Sequence, residues 1–271
     1  MFSIPIAPEN KYGPKAKQNL QFKESAFMKI LKDETIETIE KCLQAHEASM
    51  DNEDIHYCIS QPGDHDGMTP LMVAIQEDSV PKVQLVLSHN PNINVTNGDG
   101  ATALMYAFAK NLPNCHQIVR VILDSLNDML LDLDIVDTKG HTTLCFIGKF
   151  GNASLMDLLV EHIPAKLATA NSADDEGKTP LYWACRHNCT VIVQKLILAG
   201  ANPNLKPHNS DAAQGWMTPL MAAIHHYTPK SLETVNTLIQ GQASLALPIQ
   251  GAALLFTLLP MFKAITSVKF F

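Results

Sequence analysis

An all-α solenoid of paired antiparallel helices joined by long finger loops is the fold class this sequence predicts, on three observations. A short pattern returns along most of the chain, in its fullest form Gly-x-Thr-Pro-Leu. Its threonines, Thr69, Thr102, Thr142, Thr179 and Thr218, stand 33, 40, 37 and 39 residues apart. Two apolar stripes at helical spacing follow each of them. Self-similarity at a period of roughly 20–50 residues marks stacked supersecondary units, each unable to bury its apolar face alone.

The stretch Asp175–Asn204, DEGKTPLYWACRHNCTVIVQKLILAGANPN, shows how one unit is built. Thr179-Pro180 starts a helix, because proline is pre-set for the first turn and its missing N–H is not needed there. Leu181 and Ala184 share a helical face, and the small Ala184 admits the paired helix. Val191, Val193, Leu196 and Ile197 supply the second helix, and Gly200 fits a left-handed helix stop. Gly177, Thr179, Pro180, Leu181 and Ala184, with Gly200, Ala201 and Asn204 at the close, resemble an ankyrin repeat. The resemblance covers about residues 64–245 and implies an ankyrin-repeat solenoid whose usual work is binding other proteins.

The elements follow in order. Residues 1–24, with prolines and no periodicity, are expected to form a flexible arm. Residues 25–63 are expected to hold a helical N-terminal cap and a connector. Ile30 and Leu31, then Ile36, Ile39 and Leu43, make its apolar stripes, with Lys29, Lys32, Glu37, Glu40 and Lys41 turned to water. Repeats one to five span 64–245. Repeat one places Leu71, Ala74 and Ile75 on its first helix and Val83, Leu85, Val86 and Leu87 on its second. Repeat two has Leu104, Ala107 and Phe108, then Ile118, Val119, Val121, Ile122 and Leu123. Repeat three has Leu144 and Ile147, then Leu155, Met156, Leu158, Leu159 and Val160. Repeat five has Leu220, Ala223 and Ile224, then Val235, Leu238 and Ile239. Extra residues fall in Ser125–Val136, Pro164–Asp174 and Lys206–Gln214. Residues 246–271 read as a degenerate sixth repeat or C-terminal cap; their few charges leave self-association or membrane-surface contact open.

Composition narrows the function. With 46% hydrophobic and 17% charged residues the chain can bury a substantial core, and a formal charge of −7 disfavours nucleic acid as a partner. No stretch reaches the roughly 20 apolar residues of an integral membrane span, and no secretory leader is visible. The six cysteines form no disulfide-like framework; they read as reduced thiols in a cytoplasmic protein. Cys185, His187, Cys189, His225 and His226 do not match a metal-ligand spacing, and nothing pairs a nucleophile with a base and an orienting group. No catalytic residue, metal or cofactor is therefore expected.

The family resemblance implies a binding groove lined by first-helix ends and fingers. The corresponding positions are Gln76, Glu77, Lys110, Lys149, Phe150, Arg186, His187, His225 and His226. Trp216 and Met217 join them from a finger, as do His65, Asp66, Asp99, Lys139, His141, Glu176, Lys178 and Gln214. This set runs from acidic to basic and aromatic, which fits a protein partner with an acidic or mixed surface. Trp183 is expected in the core, as are Met72, Met105, Met156 and Met221. The resemblance also implies asparagine hydroxylation at Asn204, and less well at Asn94. The predicted function is a protein–protein interaction module without catalysis. Its irregular periods are similar to those of ankyrin effectors that intracellular bacteria deliver into a host cytosol. The alternative is the substrate-positioning part of a larger enzyme, with chemistry in an insertion or a further region.

Overall fold

The computed structural model describes residues 28–32, 34–47, 66–125, 131–162, 170–205, 217–226, 228 and 231–244. The expected arm, the connector before repeat one, the insertion 206–214, Trp216 and the expected C-terminal cap lie outside them.

Residues 28–32 are helical, and α1 is Ile36–Glu47. Ten further helices follow among the described residues. They are α2 (Pro70–Gln76), α3 (Val80–Leu87), α4 (Ala103–Lys110), α5 (Cys115–Asp124), α6 (Thr143–Phe150), α7 (Ala153–His162), α8 (Pro180–Arg186), α9 (Thr190–Leu198), α10 (Pro219–His225) and α11 (Ser231–Gln240). The described residues form no named strand; a single bridge joins Thr96 and Thr102.

The repeated threonine is the helix start. Thr69, Thr142, Thr179 and Thr218 are extended at the N-cap, and each hydroxyl accepts the backbone N–H three residues on, at 3.2–3.4 Å. Proline follows at the first helical position in α2, α8 and α10. A cap of this kind is worth about 1 kcal/mol.

Helix ends are equally specified. Gly200 takes φ +89° after α9; its N–H reaches Ile197 O, and Ala201 N–H reaches Leu196 O, both at 2.9 Å. This doubly bonded stop satisfies two otherwise orphaned carbonyls. After α8 the same geometry is held by Asn188 at φ +52°, one of the few side chains that tolerate it.

The chain divides into two compact units. The first holds residues 1–103 and 112–125, hence α1, α2, α3 and α5. In it α3 packs against α1, α2 and α5, with Leu31, Ile39, Leu71, Ile75, Val83, Val86 and Ile118 buried. Lys82 Nζ donates to the carbonyl of Leu31 at 2.6 Å, tying α3 to the end of the 28–32 helix. The exposed Lys29, Lys32, Glu37, Glu40 and Lys41 give that end a polar surface.

The second unit holds residues 104–111 and 126–271, hence α4 and α6–α11. Here α8 is central, packed against α6, α9 and α10, while α9 packs against α7 and α11. Met105, Met156 and Met221 are buried here and Met72 in the first unit, all as packing. Gly148 permits the close approach of α6 to α8: a Cβ there would lie 2.6 Å from Pro180 O. Val191 departs from expectation. It lies on the outer side of α9 and is 48% exposed, because Ile192, Val193 and Leu196 already fill the buried face.

A basic and aromatic face around Trp183

The site is built on two finger turns of the second unit. Asp137 opens one: its Oδ1 accepts the N–H groups of Lys139 and His141 at 2.9 and 2.8 Å. Asp174 opens the next, with Oδ1 accepting Glu176 and Lys178 N–H at 3.0 and 2.8 Å. A short acidic side chain that folds back on its own backbone is a general device for fixing a turn. The two turns are joined through the backbone, Asp175 N–H donating to Lys139 O at 3.1 Å. Gly140 makes that possible: it sits at φ +74°, and a Cβ would stand 2.7 Å from Asp175 N.

The outer oxygens of the same two carboxylates hold aromatic rings. Asp174 Oδ2 accepts the indole N–H of Trp183 at 2.9 Å. His141 Nδ1 lies 2.9 Å from Asp137 Oδ2, and its Nε2 lies 3.5 Å from Asp174 Oδ2. His141 thus bridges consecutive fingers and is only 6% exposed; it is not the groove-lining finger residue the sequence suggests. Its ring also meets Phe146 and Trp183 edge-on.

Trp183 is 8% exposed, so its core assignment holds, but its cover is made of charged heads. Lys149 Nζ, Lys178 Nζ and Arg186 Cζ lie 5.2, 5.1 and 5.5 Å from the ring centroid. The quadrupole of an indole attracts cations on this scale with about 0.5–2 kcal/mol each. His187 stacks on the same ring at 6.4 Å. Phe150, at the end of α6, stacks on Phe146 and stays 42% exposed.

The charges are unevenly satisfied. Lys178 pairs with Glu176, whose carboxyl is held below its usual range chiefly by that hydrogen bond. Among the described residues Lys149 and Arg186 meet no carboxylate. Burial first, then Arg186 and Lys149, push the His187 imidazole below its ordinary value. Burial first, then Arg186 and the neighbouring histidines, do the same to His226.

Four of the sequence-predicted site residues, Lys149, Phe150, Arg186 and His187, are therefore brought to one place. His225 and His226 lie side by side at the C-terminal end of α10, rings 4.8 Å apart; His225 is exposed, and His226 and Met217 are half-buried. Lys110 is exposed and lies over Tyr106 at 5.2 Å on its own helix. Gln76 and Glu77 are exposed in the first unit. Asn204 is exposed, yet its amide is engaged: Oδ1 accepts Ser244 N–H at 2.7 Å and Nδ2 donates to Gln242 O at 3.2 Å.

Cys115, Cys145, Cys185 and Cys189 are thiols outside any disulfide, the first three buried. Burial pushes Cys115 and Cys145 up to about 11 and Cys185 higher, which keeps them protonated and unreactive. Among the described residues no three His, Cys, Asp or Glu side chains are placed to hold a metal ion. No helix among them is long and apolar enough to cross a membrane.

Comparison with known proteins agrees with this architecture. The family described as Ankyrin repeats (3 copies) matches residues 6–131 and 123–207. The chain is 28% identical over 146 residues to the B-cell lymphoma 3 protein homolog of Mus musculus, covering 54% of this chain and 31% of that protein. It is 28% identical over 172 residues to a palmitoyltransferase of Lachancea kluyveri, covering 60% of this chain and 22% of the enzyme. It thus spans a third or less of these two relatives. Its fold is similar to that of an ankyrin repeat domain from Acinetobacter baumannii AYE, with a TM-score of 0.61 and 22% identity over 82% of this chain and all of that one.

Proposed function

The chain belongs to the ankyrin repeat family, whose repeats generally mediate protein–protein interaction, and from that premise we propose that it binds a partner protein through the face around Trp183. One observation carries the reading. Lys149 and Arg186 converge on one indole without a carboxylate partner among the described residues, beside the exposed ring of Phe150. Aromatic and Arg side chains held rigidly at a surface are the usual anchors of an interface. His187, His226 and Met217 extend this face. Gln76, Glu77, Lys110 and Trp216 are proposed as further contacts on the position they hold in their repeats. The thiols support a reducing compartment such as the cytoplasm.

The test is a paired capture from eukaryotic cytosol with the wild-type chain and a Lys149→Glu/Arg186→Glu variant as baits. Circular dichroism confirms that both are folded. A protein retained by the wild type and lost by the variant supports the reading; a protein retained equally by both moves the site elsewhere. Two finer readings rest on less. Delivery into a host cell as a bacterial effector is supported by the irregular repeat periods, and a translocated-reporter fusion that stays in the donor bacterium would end it. Hydroxylation at Asn204 is supported by its exposure; an unchanged mass after co-expression with the asparaginyl hydroxylase would count against it.

A further inference from the structure

Resting on the reading that this face binds protein, we propose that its occupant is an acidic linear segment. Two carboxylates, two positions apart, would sit against Lys149 and Arg186, with a large apolar side chain beside them on Phe150.

Three carboxylates of the two finger turns are engaged by nearer partners. Asp174 spends its oxygens on two turn N–H groups and on the indole. Asp137 spends its oxygens on its own turn and on His141. Glu176 is held by Lys178. Lys149 and Arg186 therefore remain without an ion-pair partner among the described residues, in a chain whose formal charge is −7. Burial first, and then the positive charge of Arg186, lowers both His187 and His226, from separate positions. An anionic group entering here meets charges already held over a π face, with little side-chain entropy left to lose.

The spacing admits an extended peptide. Both cationic heads lie within 5.5 Å of one centroid, so they are no more than about 11 Å apart. Side chains two residues apart in an extended peptide project on one side at about 7 Å, within that limit. A third such position along the peptide leaves an apolar side chain for Phe150, which follows Lys149 in sequence and already stacks on Phe146. A duplex nucleic acid would need a much more extended basic surface.

The decisive experiment uses the full chain and a fluorescein-labelled peptide of the pattern Gly-Glu-Gly-Glu-Gly-Leu-Gly, followed by anisotropy. Its Gln-for-Glu and Ala-for-Leu counterparts and a single-stranded oligothymidine are run beside it. Saturable binding of the acidic peptide is expected, weaker at high salt, and weakened at least tenfold by Gln-for-Glu or by Lys149→Gln/Arg186→Gln. Ala-for-Leu and Phe150→Ala should weaken it by similar amounts, separately from the charge effect. Circular dichroism checks the variants. The proposal is overturned if the acidic and Gln peptides bind alike, if the Lys149/Arg186 variant binds as well as wild type, or if the oligonucleotide binds more tightly. Should the peptide fail while partner capture still depends on Lys149 and Arg186, the acidic-segment proposal falls and the protein-binding face stands. Should capture be indifferent to them as well, both fall.

Discussion

The hydrogen bond from Trp183 to Asp174 is the hinge of the site, and replacing Asp174 with Asn isolates its worth. Asn keeps an oxygen for the Glu176 and Lys178 N–H groups, so the turn persists. Its NH2 group then faces the indole N–H, donor against donor. The lost bond is to a charged acceptor, worth about 1.5–3 kcal/mol. Trp183 is too buried to recover it from water, so Asp174→Asn should cost about that much. Trp183→Phe removes the donor instead. In the Phe background only the contact of Asp174 with His141 remains to be weakened, so the same Asp174→Asn change should cost less, giving a coupling of about 1–2 kcal/mol in a double-mutant cycle. Urea unfolding followed by far-ultraviolet circular dichroism measures all four proteins. A coupling under about 0.5 kcal/mol, the additivity seen for independent sites, would refute the claim that the finger carboxylate positions the indole.

Four further outcomes follow from the same geometry. Gly140→Ala places a side chain at φ +74° against the Asp175 backbone and should destabilise by about 2 kcal/mol or more. Gly200→Ala, at φ +89° with open space around it, should cost only about 1 kcal/mol; equal costs would argue that finger contact is irrelevant. Thr179→Ala removes the α8 cap and should cost about 1 kcal/mol in the urea midpoint. His187 and His226 bind protons less readily folded than unfolded. Their contribution to stability is therefore present above the ordinary histidine value of 6.5 and lost as pH falls below it towards their folded values. His187→Gln/His226→Gln should flatten the stability profile there, and an unchanged slope would contradict the assignment.

Much of this molecule was legible in the sequence because its signals are local. Thr179-Pro180 announces a cap and Gly200 a stop, whatever lies around them. Lys149, Phe150, Arg186 and His187 were reachable because the repeat fixes which offset ends a first helix. The role of Trp183 was not, since burial and participation in a site look alike at one position: the indole is buried by cations as well as by hydrocarbon. His141 was misplaced for a similar reason. Its position in a finger suggests exposure, and only the backbone pairing of neighbouring fingers puts a second carboxylate near it. A signal did exist. Asp137 and Asp174 stand 37 residues apart, the same interval as Thr142 and Thr179, so they occupy equivalent places in consecutive turns. Val191 and Ile192 look alike in the sequence, and only the buried face of α9 decides between them.

The most direct test of the binding face compares two exposed apolar positions of the second unit. A photo-crosslinking amino acid is placed at Phe150, beside Lys149, or at Leu198, which is 80% exposed at the end of α9. Irradiation in cytosol that contains the captured partner should give a crosslinked product from position 150 and none from 198. A product from 198 alone would put the partner on the α9 side and contradict the assignment of function to the Trp183 face.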